Sequence, residues 1–287
     1  MVFQLKSDEI KEQLNSLSEQ LDRVESLLNN SISQLFHKID DGDSQMSKRP
    51  VNALLIIDVQ NDFIDGSLAL RNCPSKHNGE EVIPIINDLL DSGDFDVIVY
   101  SIDWHPADHI SFYDNLHLRS HLLTNDSIQL ADLHLHSNAK FDIPNVAVME
   151  QVLWPRHCVQ NTTGANLHPD LKVFDASSGK SVIYIFKGTK SNIDSYSAFW
   201  DNLKLSETNL HQQLQEKNVS QIFVTGLATD YCVYSTAANA VEYGYKTFII
   251  KDGCRGVDEK HIKEKLDNFK QNSGHVIQSS QVKDYVQ

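Results

Sequence analysis

The chain has 287 residues, 40% of them hydrophobic, enough for one cored domain and an appendage. A formal net charge of −14 argues against a nucleic-acid partner and against an anionic membrane surface. No apolar stretch is long enough to span a bilayer, the N-terminus has no signal or transit pattern, and the four cysteines have no framework spacing; these features lead us to expect a cytoplasmic or nuclear protein.

In residues 1–47, apolar side chains recur at Ile10, Leu14, Leu17, Leu21, Val24, Leu28 and Leu35 in alternating steps of four and three, interrupted by Ser31. This is a heptad seam with Gln, Glu, Lys and Ser on the flanks, and it predicts a short coiled coil that makes the protein a homo-oligomer. The alternative is a single amphipathic helix docked on its own body. Asp40-Asp41-Gly42-Asp43-Ser44 and Pro50 end the helix and put a domain boundary near residue 48, so residues 48–287 form the second domain.

From there strands and helices alternate. Strands are expected at 51–57, 96–102, 182–187, 221–226 and 246–251, with a short last one at 275–278. Helices are expected around 80–91, 197–203, 207–217, 231–243 and 258–271. Buried β-branched runs separated by helices predict an α/β fold with a doubly wound, mostly parallel sheet and helices on both faces. Residues 104–160 show little regular pattern, and long loops in compact domains are usually functional.

Chemistry gathers where the strands end. Asp58 follows Ala53–Ile57, Asp103 follows Val97–Ile102, Lys187 ends Val182–Phe186, and Cys232 lies just past Ile222–Gly226. Ligands of open parallel sheets bind outside the carboxyl ends of the strands, so separate strands deliver these groups to one crevice. Cys232 opens an Ala-rich helix, whose dipole favours thiolate; a simply buried cysteine is the bland alternative. Lys187 favours the anion and Asp58 can take and return its proton. Asp103 and His105 are two apart, so on an extended segment both point the same way, and His157 arrives from a distant turn. One carboxylate and two imidazoles suit zinc, iron or manganese and leave positions open for substrate. His117, His121, His134 and His136 lie among polar residues without a strand-end carboxylate and read as solvated.

Leu54-Leu55-Ile56-Ile57-Asp58-Val59-Gln60-Asn61-Asp62-Phe63 resembles the opening motif of the nicotinamidases, in the isochorismatase-like superfamily of cysteine hydrolases. Similar too are Asp103-Trp104-His105-Pro106, Leu153-Trp154-Pro155-Arg156-His157-Cys158-Val159, Phe186-Lys187-Gly188, Tyr196-Ser197-Ala198-Phe199 and Val224–Val233. The resemblance covers about residues 50–255 and leaves out the heptads. It implies a catalytic triad of Asp58, Lys187 and Cys232, an oxyanion hole from the backbone N–H groups of Ala228 and Cys232, and a non-proline cis peptide at Leu227–Ala228. It implies one divalent metal, zinc first, on Asp103, His105 and His157, with His109 a further ligand in some relatives. Phe63 and Trp154 could sandwich a pyridine ring, with Tyr196 as a wall. The implied reaction is hydrolysis of nicotinamide to nicotinate and ammonia through a thioester, a step of NAD salvage. A related small-amide hydrolase and a non-catalytic coiled-coil binding protein are the alternatives.

Overall fold

The computed structural model describes residues 49–124, 130–144, 147–175 and 178–286, so the heptad segment lies outside the described residues. Six strands form one parallel sheet: β1 (Asn52–Ile57), β2 (Val97–Asp103), β5 (Ser181–Lys187), β6 (Gln221–Leu227), β7 (Lys246–Arg255) and β8 (His275–Ile277). Their order is β5-β2-β1-β6-β7-β8, with every neighbouring pair parallel. The chain runs outward from β1 through β2 to β5, then returns to β6 on the other side of β1. The switch point between β1 and β6 is where such sheets open a crevice.

Side chains alternate across each central strand, and this divides the core. Leu54 and Ile56 of β1 face one cluster with Ile83, Ile86 and Leu90 of the helix Val82–Ser92. Leu55 and Ile57 face the other, with Leu210 and Leu214, Ala237 and Ala240, and Ile262 and Leu266 from the helices Leu210–Glu216, Tyr234–Glu242 and Glu259–Gln271. Both faces are therefore covered, as continuous apolar strands require. Among the described residues no helix is long and apolar enough to cross a membrane.

Two elements differ from the expected pattern. β3 (Asn138–Ile143) and β4 (Ala147–Val152) pair antiparallel as a hairpin inside the stretch expected to be irregular. Ala139, Phe141, Ile143 and Met149 turn inward to a satellite core of their own with Ile110, Leu153 and Ile193. Residues 197–203 are not helical. The side chains of Ser197 and Asp201 there accept hydrogen bonds from the backbone N–H groups of Phe199, Leu203 and Leu205, which satisfies the chain locally and competes with a helix.

Candidate active site

Lys187 stands at the centre, at the end of β5 with its side chain fully buried. Its ammonium donates to Asp103 Oδ1 at 2.6 Å, to Ser195 O at 3.0 Å and to Cys232 Sγ at 3.3 Å. Those three bonds use all its hydrogens. Asp58 Oδ2, 2.9 Å from the same nitrogen, is thus held by charge and has no hydrogen-bond partner of its own. The other Asp58 oxygen accepts from Ser101 Oγ at 2.6 Å. Cys232 Sγ lies with an oxygen of Asp58 and one of Asp103 within a 4.8 Å span. A carboxylate with a free lone pair therefore lies beside a sulfur and a cation.

Local backbone sets these positions. Asp58 closes β1 in a left-handed conformation, φ 49°, which turns the carboxylate out of the strand and into the crevice. Cys232 sits in a π-helical turn, Thr229–Val233, that leads from β6 into the helix Tyr234–Glu242. The Leu227–Ala228 peptide is cis, and Ala228 and Cys232 border the same cavity.

Electrostatics assign the resting protons. Burial pushes the Cys232 thiol well above its usual range, and the carboxylates of Asp58 and Asp103 add to this against the opposing pull of Lys187. The helix-dipole expectation of a resting thiolate is thus overridden by burial and two anions, and the proton stays on sulfur. Burial also raises Asp58, and despite the opposing Lys187 the carboxyl titrates at about 6. Burial works against ionised Asp103 as well, but Lys187 and then His105 hold it far below the usual carboxylate range. Near neutral pH the site holds a thiol, two carboxylates and an ammonium.

A set of metal donors adjoins them. Ligand atoms of Asp103, His105 and His157 lie within 4.8 Å of one another, all buried. His105 Nδ1 pairs with Gly188 O at 2.9 Å, and His157 Nδ1 with Pro155 O at 2.7 Å. A carbonyl can only accept, so each Nδ1 carries a hydrogen and each ring turns Nε2 inward, the His105 Nε2 lying 3.5 Å from Asp103 Oδ2, the orientation metal-binding histidines adopt. Burial, then His105, pushes His157 down to about 4, and the same two causes hold His109 well below the usual imidazole range. Burial also opposes charge on His105, but Asp103 outweighs it and raises that imidazole. The residues fit a divalent cation. His109 stacks on His105 with ring centroids 4.1 Å apart, and its Nε2, 3.9 Å from Asp194 Oδ1, forms with His105 and Asp194 a second buried group of donors within 4.8 Å. Gly188 is fixed by this packing: its φ is +62°, and a Cβ would come within 2.3 Å of the His105 ring.

The crevice is a cavity bordered by Phe63, Trp154 and Tyr196 together with Asp103, His105, His157 and Cys232. Every residue expected at the site from the sequence is at this cavity or against its lining. The other four loop histidines are exposed, although His136 packs its ring on Trp154 at 5.3 Å. Several contributors had no sequence signal that reached their partner. Gln60 clamps Asp103 by accepting from its N and donating to its O, both at 2.8 Å. Asp62 Oδ2 accepts from Cys158 N at 2.7 Å, beside His157. Tyr231 packs edge-on against both Trp154 and Tyr196, completing the aromatic wall. Asp194 borders the cavity as a third buried carboxyl near this centre. Ser101 lies two residues before Asp103 on one strand, so strand period alone could have marked it.

Residues 52–281 match the family model described as the isochorismatase domain. The chain belongs to the isochorismatase family. Among curated relatives it is similar to the nicotinamidase of Escherichia coli K12, 36% identical over 213 residues, covering 73% of this chain and 85% of that protein. This isochorismatase domain also matches the yeast nicotinamidase bound to the inhibitor nicotinaldehyde, with a TM-score of 0.66 at 30% identity, covering 79% of this chain and 100% of the other. The pyrazinamidase of Pyrococcus horikoshii in complex with zinc matches with a TM-score of 0.56 at 26% identity, covering 80% and 99%.

Proposed function

We propose that the protein is a metal-dependent cysteine amidohydrolase that converts nicotinamide to nicotinate and ammonia, with Asp58, Lys187 and Cys232 as its catalytic residues. The observation that carries this reading is the meeting of the Asp58 carboxylate, the Lys187 ammonium and the Cys232 sulfur beside an aromatic cavity that is also bordered by the donors Asp103, His105 and His157. Curated relatives 30–37% identical over 207 residues or more are nicotinamidases, and one solved nicotinamidase structure at 30% identity holds nicotinaldehyde.

The aromatic lining suits one flat six-membered ring, with Phe63, Trp154 and Tyr196 around it. Asp58 takes the Cys232 proton as sulfur attacks the amide carbon. Lys187 stays charged and offsets the anions gathered around it. The Ala228 and Cys232 N–H groups meet the developing oxyanion, a contribution of about 3–4 kcal/mol to the barrier in comparable sites. Asp58 returns the proton to nitrogen as the C–N bond breaks, so ammonia leaves and a thioester remains. Asp58 then draws a proton from water as the water oxygen bonds to the carbonyl carbon, and passes it to sulfur as the C–S bond breaks; the Cys232 thiol is restored and the acid product ionises to nicotinate. Asp103, His105 and His157 would hold the divalent ion, which we assign as zinc, with His109 alongside, and the ion would supply a Lewis acid for the heteroaromatic nitrogen. Ammonia release from nicotinamide, assayed with and without a chelator, tests the reading. Turnover lost with the chelator and restored by zinc supports it; no release by metal-loaded protein refutes it.

The heptads in residues 1–47 we assign to self-association of a separate hydrolase domain, 48–287. Sedimentation should show a lower mass per particle when residues 1–47 are deleted. An unchanged oligomeric order would remove this assignment.

A further inference from the structure

The hairpin β3–β4 takes no part in the chemistry above, yet its inner face carries a residue that an apolar core does not need. Strand alternation turns Met149 and Gln151 of β4 inward, and Gln151 is only 1% exposed. A buried amide costs stability unless hydrogen-bonded, so its partners indicate why it is there. Nε2 donates to Val152 O at 2.9 Å and to Asp194 Oδ2 at 3.0 Å, and it lies 3.5 Å from Tyr196 Oη. A carbonyl and a carboxylate can only accept, which fixes the amide with nitrogen on this side. Tyr196 Oη also accepts from Trp154 Nε1 at 3.4 Å, and Trp154 lies two residues beyond the end of β4. The same hairpin packs Phe141 and Met149 in one cluster with Ile193, the neighbour of Asp194. Consecutive residues of the 193–196 segment are thus gripped by one hairpin, the first by apolar packing and the next through Gln151. Asp194, Tyr196 and Trp154 all border the cavity.

We propose that Gln151 is a positioning residue for substrate specificity, holding Asp194 and Tyr196 so that the β3–β4 hairpin sets the width of the aromatic cavity for a planar heteroaromatic amide. The substrate class rests on the hydrolase reading above; the grip of the hairpin on residues 194–196 does not. Gln151 touches no reacting atom, so its loss loosens binding and leaves the chemical step intact.

The full-length protein is compared with Gln151→Leu, Gln151→Glu, Asp194→Asn and the Gln151→Glu/Asp194→Asn pair. Gln151→Leu should raise KM for nicotinamide about fivefold or more while kcat stays within about twofold. Gln151→Glu sets a carboxylate against Asp194 and should do more harm, and Asp194→Asn in the same chain should recover part of the loss by reversing donor and acceptor. Amide hydrogen exchange over 193–198 should quicken in Gln151→Leu and Gln151→Glu and slow again in the pair. Unchanged KM and exchange in both single Gln151 variants would overturn the proposal, as would a Gln151→Glu defect that Asp194→Asn leaves untouched. If wild-type protein releases no ammonia from nicotinamide, the hydrolase reading fails, and the exchange measurement decides the positioning claim by itself.

Discussion

The parallel sheet and the segment between β2 and β5 build one crevice by different means. The sheet delivers Asp58, Asp103 and Lys187 through backbone ladders, where each residue's place follows from its neighbours' pairing: Asp103 stands opposite Lys187 in the register of β2 and β5. The segment delivers His157 and Trp154 through isolated backbone bridges, Phe112 with Trp154 and His105 with Val159, reinforced by side-chain bonds. Asn115 Nδ2 donates to Ala107 O and His109 O, both at 3.0 Å, and Arg156 reaches Ala107 O and Asn115 Oδ1. Ladder placement is cooperative and rigid. Isolated bridges and side-chain bonds are local, so they can be loosened one residue at a time. Sheet substitutions should therefore stop the chemistry or unfold the domain, and segment substitutions should weaken metal and substrate.

The largest effect belongs to the sheet. Cys232→Ala and Asp58→Asn should each cut ammonia release from nicotinamide by about 10⁴-fold or more while metal content holds near wild type. Turnover within tenfold of wild type, on the order of RT ln 10, would break the division at once. Next comes Lys187→Met, which leaves Asp58 and Asp103 buried without their cation. A loss of about 3–5 kcal/mol in urea unfolding is expected. Stability equal to wild type would mean that the carboxyls are not charged as described.

Gly188→Ala sharpens the comparison at its seam, because Gly188 ends a sheet strand yet holds a metal donor. Its Cβ would displace the His105 ring, so chelator competition should show metal affinity lower by about 10–100-fold with the sheet intact. The smallest effect is on pH. Asp58 works as base only when ionised, and its carboxyl titrates at about 6, so kcat/KM should fall as pH drops through that value. The Ser101 hydrogen bond favours the charged form. Ser101→Ala should therefore move this acid limb upward, by under about one unit. A limb that stays in place or moves down would contradict that role.

The two regions also differ in how legible they were. Buried strands announce themselves as apolar runs, and the charged residue after each run marks the crevice, so the sheet and its acids, lysine and cysteine could be read from the sequence. Asp103, His105 and His157 were readable as ligand types. The hairpin was harder: Ala139, Phe141 and Ile143 do alternate inward, but six residues each side of a turn give a faint signal beside a long polar stretch. Ser197 and Asp201 could pass for helix residues until their own side chains captured the backbone. Gln60, Gln151 and Asp194 act through partners about 40 or more residues away, and no local pattern specifies such a partner.

The central claim is that Cys232 carries the acyl group between the two halves of the reaction. Rapid acid quench of enzyme mixed with nicotinamide, followed by digestion and mass spectrometry, tests it directly. The account predicts a nicotinoyl mass on the peptide containing Cys232, absent from Cys232→Ala. Nicotinate forming at full rate with no such adduct, or with the adduct on another residue, would contradict it.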